Sequence, residues 1–226
     1  MKNNISTICE NSLCTGCGAC GGVCPAKCIL LKRNTAGFLR AYIDKKQCLE
    51  CGRCVKVCPQ IRMMDIDKSR REVKGFIAYA KNLQVRKRGQ SGGVVTALLS
   101  FLLKKGEIDG AVINKFNRDR HINEAVYVDD NEMLLEGAGS YYSQSDVCKT
   151  IYENKSRKVA AVLLGCQSRS VKMAENAGEL KNVKYKIGLI CAGQYSSLMM
   201  KDIVKKSKVT LPEVIKFRWR DKQISG

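Results

Sequence analysis

Two stretches of this 226-residue chain share one cysteine spacing. Residues 14–25 read CTGCGACGGVCP and residues 48–59 read CLECGRCVKVCP, so Cys14, Cys17, Cys20 and Cys24 recur as Cys48, Cys51, Cys54 and Cys58, each displaced by 34 residues. Both runs are C-x2-C-x2-C-x3-C-P. Three cysteines at intervals of three let a short loop curl around one cuboid iron–sulfur cluster and reach three of its irons, while the fourth points the opposite way. Gly16, Gly18 and Gly52 leave room for backbone amides to approach the cluster sulfurs. Pro25 and Pro59 redirect the chain after each fourth cysteine.

This is the run of bacterial two-cluster ferredoxins, in which the fourth cysteine of each run serves the other cluster. On that pattern Cys14, Cys17, Cys20 and Cys58 hold one 4Fe–4S cluster, and Cys48, Cys51, Cys54 and Cys24 hold a second. ILLKRNTAGFLRAYIDKKQ, between the runs, reads as a hairpin with Gly37 in its turn. Two zinc sites are the alternative, but zinc sites separate their C-x2-C pairs widely, and these runs do not. Cys9 and Cys28 fall outside the pattern, and Cys28 reads as a small core residue packed near a cluster.

Thirteen cysteines with eight of them in two dense runs are not spaced like a disulfide framework. MKNNISTICENS has no apolar signal segment, so a reducing, cytoplasmic setting is expected. The longest apolar stretch, VVTALLSFLL, is far short of the roughly 20 residues that cross a bilayer, so no transmembrane segment is expected. The formal charge is +19. Eight thiolates, less about +2 returned by each of two cubane clusters, lower it to roughly +15. Such a surface suits an acidic redox partner or plain solvation. A nucleic-acid role is disfavoured, because stacking aromatics and a recognition motif are missing.

A ferredoxin would end near residue 60, yet the chain continues. The expected organisation is a two-cluster ferredoxin domain over 1–66, a charged connection over 67–74, and an α/β part over 75–226 that is shortened at its C-terminus. GFIAYAK, DGAVINK, INEAVYVDD, KVAAVLLG and VKYKIGLICAG read as strands. VVTALLSFLLKK, QSRSVKMAENAGEL and YSSLMMKDIVKKS read as helices. The predicted fold is therefore an α+β ferredoxin-like two-cluster domain followed by an α/β domain with a largely parallel or mixed sheet.

Two strand-to-helix junctions carry chemistry. GQSGGVVTALL places Gly89, Gly92 and Gly93 before a helix, with Ser91 as its expected cap and free amides facing an anion; an ordinary glycine turn fits the same residues. VLLGCQSRS places Cys166 at a strand's carboxyl end and a helix start, where a helix dipole favours thiolate. Cys191 follows the next strand, so the two thiols either share a site or are ordinary buried cysteines.

The order of these blocks resembles the beta subunits of coenzyme F-420 hydrogenases and dehydrogenases. The resemblance rests on SGGVVTALLSFLLKKGEIDGAV, GSYYSQSD, LLGCQSRSV and IGLICAGQYSS, and on Gly37-Phe38, Tyr42 and Asp44 between the cysteine runs. It implies an iron–sulfur flavoprotein oxidoreductase that relays electrons through two 4Fe–4S clusters to FAD and on to an organic acceptor such as coenzyme F-420 or another small molecule. By position, Ser91, Gly92, Gly93 and Thr96 would form the flavin loop, and Gly139, Ser140 and Tyr142 would line the pocket. Cys166 and Cys191 would sit at a third 4Fe–4S cluster. Three departures stand out: LGC replaces the family's Thr-Pro-Cys, Tyr141 replaces a lysine, and KFRWRDKQISG stops where the family's next segment begins. Partners would be a redox protein or other subunits of an oxidoreductase complex. The alternative is a non-catalytic ferredoxin-type electron-transfer subunit; a third reading is a basic nucleic-acid binder with structural clusters.

Other features read plainly. His121 is the lone histidine, expected in solvent. The methionine pairs at 63–64 and 199–200 and Trp219 are expected to fill packing space.

Overall fold

The computed structural model describes residues 3–61 and 74–214. Nearly all of the 67–74 connection, the pair Met63–Met64 and Trp219 lie outside the described residues.

The sequence repeat becomes a structural one. After α1 (Ser6–Glu10), α2 (Ala19–Val23) begins behind Gly18 at φ +89°, and α3 (Arg53–Val57) behind Gly52 at φ +73°. A side chain at such left-handed angles is strained, so the turn itself selects glycine at both places. Each helix is a single turn that ends on an extended cysteine, Cys24 or Cys58. Between the two runs, β1 (Ile29–Arg33) pairs antiparallel with β2 (Leu39–Ile43). Gly37, at φ +78°, closes the turn by donating to Asn34 O at 2.9 Å, as the sequence leads one to expect.

The remaining elements form layers about one sheet. In chain order they are α4 (Leu83–Arg88), α5 (Val94–Lys104), β3 (Gly110–Asn117), β4 (Ile122–Val128), α6 (Asn131–Glu136), α7 (Val147–Glu153), β5 (Val159–Leu164), α8 (Gly165–Asn176), β6 (Val183–Leu189) and α9 (Leu198–Lys206). The strand order is β4-β3-β5-β6. β3 and β4 are an antiparallel hairpin, whereas β3, β5 and β6 run parallel, so the sheet is mixed. A parallel pair needs a long crossover, and α8 supplies it between β5 and β6.

Alternation along β5 separates two cores. Val159, Ala161 and Leu163 join a buried cluster with Val147 and Ile151 of α7, Val171 of α8, and Ile5, Val23, Cys20 and Val57 of the cysteine-rich part. Ala160 faces the other side, with Leu99 of α5 and Leu134 of α6. Residues 3–61 are therefore packed onto one face of the sheet. Ser170 Oγ donates to Val57 O at 2.6 Å, Gln144 Nε2 donates to Thr15 O at 2.9 Å, and Leu39 N donates to Gln144 Oε1 at 2.6 Å. Arg53 pairs with Glu179 beyond α8, its Nε 2.8 Å from the carboxylate.

Three expectations change. GFIAYAK is not a strand: residues 74–80 are irregular, Phe76 is 85 % exposed, and Ala80 N–H bonds Gly92 O at 2.7 Å, which ties the segment to the glycine loop instead of a strand. Ser91 does not cap α5. The N-cap is Gly93, at φ +73°, where a Cβ would meet Val85 O at 2.8 Å. His121 is half-buried at φ 50°, edge-on to Phe116 at 6.4 Å between ring centroids, because the β3–β4 turn folds it back.

Candidate functional site: two thiol groups and a cavity

Folding sorts the eight repeat cysteines into two mixed groups. Burial holds Cys20 well above the ordinary thiol range, and Cys17, Cys14 and Cys58 add repulsion. Cys58 is pushed up to about 11, again by burial first, with Cys17 and Cys14 among its neighbours. The fourth cysteine of the second run thus stands with the first three of the first. The reciprocal holds for Cys54, which burial raises and which Cys24 and Cys48 raise further. Cys24, Cys48, Cys51 and Cys54 line one cavity. Among the described residues no three Cys, His, Asp or Glu side chains converge closely enough for one metal ion. Thiols spaced around a void suit a cuboid cluster, which is bound at its corners.

The groups differ in depth. Cys17, Cys20 and Cys58 are buried and Cys14 half-buried, whereas in the outer group only Cys54 is buried, Cys24 and Cys48 are half-buried and Cys51 is exposed. The inner group lies under α7 and α8, and the outer group opens to the surface beside exposed Leu49.

Sequence reasoning missed Cys148. It is fully buried in the first turn of α7, and its N–H donates to Cys17 O at 3.0 Å. A hydrogen bond from the Cys148 thiol lowers Cys17 to about 7 against the opposing effect of burial, and the same contact raises Cys148. The only signal was a cysteine inside the apolar helical run VCKTIYE, following the GSYYSQSD block.

Cys166 sits at the β5–α8 junction as expected, with Gln167 Oε1 accepting from Leu164 N at 2.8 Å to close that first turn. Its thiol is raised, not lowered, because burial outweighs the helix terminus and Cys17 adds repulsion. The Thr15 hydroxyl bonds it and Cys191 is in its electrostatic reach. Cys191 is exposed two residues beyond β6. Cys166 is therefore within electrostatic reach of both Cys17 and Cys191.

All seven residues expected around a flavin line a single cavity of about 690 Å³: Ser91, Gly92, Gly93, Thr96, Gly139, Ser140 and Tyr142. Its size falls within the range of small-molecule sites, roughly 300–1,000 Å³. Cys191 also lines it; Cys166 does not. Its floor is apolar, from Leu99, Val162 and Leu164, and among the described residues no Lys, Arg, Asp or Glu lines it. Positive potential there comes from the amino end of the 11-residue α5. Gly92 is also required by packing, since a Cβ there would meet Ala78 O at 2.9 Å.

Two sequence models of one family cover most of the second half. The coenzyme F420 hydrogenase/dehydrogenase beta subunit N-terminal model matches residues 76–151, and its C-terminal counterpart matches 156–225. The chain belongs to this beta-subunit family. A 4Fe-4S dicluster domain matches residues 13–60, so this family member is an iron–sulfur protein. It is 29 % identical to the coenzyme F420-dependent sulfite reductase of Methanocaldococcus jannaschii over 94 % of this chain and 36 % of that protein. It is 26 % identical to an F(420)H(2) dehydrogenase subunit of Methanosarcina mazei over 98 % of this chain and 63 % of the relative. The chain thus spans between about a third and two thirds of the length of these relatives. A protein chain in the F420-reducing [NiFe] hydrogenase complex from Methanosarcina barkeri shares the fold over 59 % of this chain and 49 % of that one, with a TM-score of 0.52 and 22 % identity. No helix among the described residues is long and apolar enough to cross a membrane.

Proposed function

We propose that this family member is the iron–sulfur and flavin subunit of an F420-type oxidoreductase, relaying single electrons through two 4Fe–4S clusters to FAD. The observation that carries this reading is the placement of the inner thiols behind the β5–α8 junction, with the 690 Å³ cavity at the same sheet end. Cys14, Cys17, Cys20 and Cys58 would hold the inner cluster, and Cys24, Cys48, Cys51 and Cys54 the outer one. The glycine loop 91–93 with Thr96, and Gly139, Ser140 and Tyr142, would hold FAD. Bound there, the clusters exchange one electron at a time, and a flavin collects two and exchanges a hydride.

The chain's own residues prepare this transfer. Cys148 hydrogen-bonds Cys17 and so stabilises the negative charge of an inner cluster ligand. The α5 amides offer the donors that a dinucleotide phosphate needs in a cavity that no basic side chain lines among the described residues. Leu99, Val162 and Leu164 keep water from the floor, which suits an isoalloxazine ring. Cys166 and Cys191 stand on the route between the inner thiols and the cavity, and would supply two of the four ligands of a further cluster. The acceptor follows the relatives' names: coenzyme F420 or a molecule of its class, within a complex with other subunits.

Anaerobic purification with joint measurement of iron, acid-labile sulfide and flavin tests this. About eight irons, four per cuboid, with one FAD per chain support it, and about twelve irons would add the further cluster at Cys166 and Cys191. About eight irons with no flavin, even after FAD is added, would leave only an electron-transfer subunit.

A further inference from the structure

The outer group holds five thiols, one more than a four-ligand cluster takes. Cys28 is buried, and its Sγ stands 3.5 Å from that of Cys24. It lines the same cavity as Cys24, Cys48, Cys51 and Cys54. Local backbone geometry creates this closeness. Lys27 N donates to Cys24 O at 3.2 Å, and Lys27 takes a left-handed φ of 51°, so the chain doubles back between the two cysteines. Asp44 N donates to Cys28 O at 2.8 Å and fixes that position against the end of β2.

We propose that Cys28 is a reserve ligand of the outer cluster, able to take the iron corner otherwise held by Cys24. This rests on the reading of the outer thiols as cluster ligands. The distance is suitable, because a cysteine sulfur sweeps roughly 3 Å between staggered rotamers, close to the separation seen. The exchange is a ligand substitution without oxidation or reduction. The iron–Sγ bond to Cys24 breaks, one to Cys28 forms, and the proton leaving Cys28 passes to Cys24. When Cys24 is missing or blocked, that proton goes to solvent. Half-buried Cys24 is open to oxidants and alkylating agents, whereas Cys28 is covered, so the outer cluster can outlast damage to its most replaceable ligand.

The test compares the full-length wild type, Cys28→Ala, Cys24→Ala and the double variant, each reconstituted anaerobically and assayed for iron, sulfide and the EPR signals of the reduced clusters. Wild type and Cys28→Ala should hold about eight irons, Cys24→Ala about eight with a shifted outer-cluster signal, and the double variant about four. Cys24→Ala holding no more iron than the double variant would overturn the proposal. If Cys24→Ala falls below about four irons, Cys24→Ser with and without Cys28→Ala carries the same comparison: a Cys28-dependent loss of one cluster supports the reserve role, and no difference overturns it. A wild type with fewer than two clusters would instead overturn the two-cluster reading, and the reserve role with it.

Discussion

The two cysteine runs have the same spacing, the same left-handed glycine before a one-turn helix, and the same extended fourth cysteine, yet they finish in different surroundings. Gly18 packs against Asp146 at the head of α7, while Gly52 faces the side chain of Asn3. Cys17 meets Cys148 and, through Thr15, Cys166; Cys51 meets solvent. The repeat therefore specifies two like sites, and the sheet packed on one of them makes that one inner. Depth in the fold is a property of tertiary contact, not of the motif.

The largest expected effect separates the groups outright. Cys58→Ser should remove the inner cluster, lowering iron by about four per chain, while the outer cluster's EPR signal persists. If the outer signal were lost and the inner one kept, the exchange of fourth cysteines between groups would be wrong. A second comparison uses the paired glycines. Both Gly18→Ala and Gly52→Ala incur left-handed strain of about 1–2 kcal/mol. At Gly18 the new Cβ also meets Asp146 Cβ at 2.9 Å and its backbone oxygen at 3.0 Å, whereas at Gly52 it meets the movable Asn3 Oδ1 at 2.6 Å. Denaturant unfolding of the holoprotein should show Gly18→Ala more destabilised by about 1–3 kcal/mol, the cost of overpacking; equal losses would show that the sheet does not constrain the inner site.

The cavity offers a third contrast. Val162→Trp should fill its floor and weaken flavin retention about tenfold or more, about 1.4 kcal/mol, with iron content unchanged, as read by absorbance and iron assay of one sample. The smallest effect is on pH. Burial keeps Cys20, Cys54 and Cys58 protonated at neutral pH, with Cys58 at about 11, so iron binding must displace their protons. Iron retention after reconstitution should therefore fall toward acid and keep rising with pH above neutrality, toward the value of about 11 at which Cys58 itself ionises.

Much of this molecule is legible in the sequence because its signals are local. The C-x2-C-x2-C-x3-C-P spacing, Gly37 in a hairpin turn and the apolar run KVAAVLLG each act over a few residues, and the structure carries the matching elements. Cys148 was not legible, since its contact with Cys17 joins residues 131 positions apart and no period announces it. GFIAYAK carried strand-forming residues but no strand partner, and the backbone bond of Ala80 to Gly92 prevailed over propensity. The Cys166 thiol shows a similar competition: the helix start favours a thiolate, and burial beside Cys17 favours the thiol. The seven cavity residues came from resemblance to a family, and their convergence on one cavity needed the fold.

The central claim is that electrons reach the cavity through the inner group. Stopped-flow reduction by methyl viologen radical, with clusters and bound flavin followed separately, tests it in wild type and Cys58→Ser. In wild type both should be reduced, clusters before flavin; in Cys58→Ser the outer cluster should still be reduced while the flavin rate falls at least a hundredfold (about 2.7 kcal/mol). Flavin reduced as fast in Cys58→Ser as in wild type would contradict the claim.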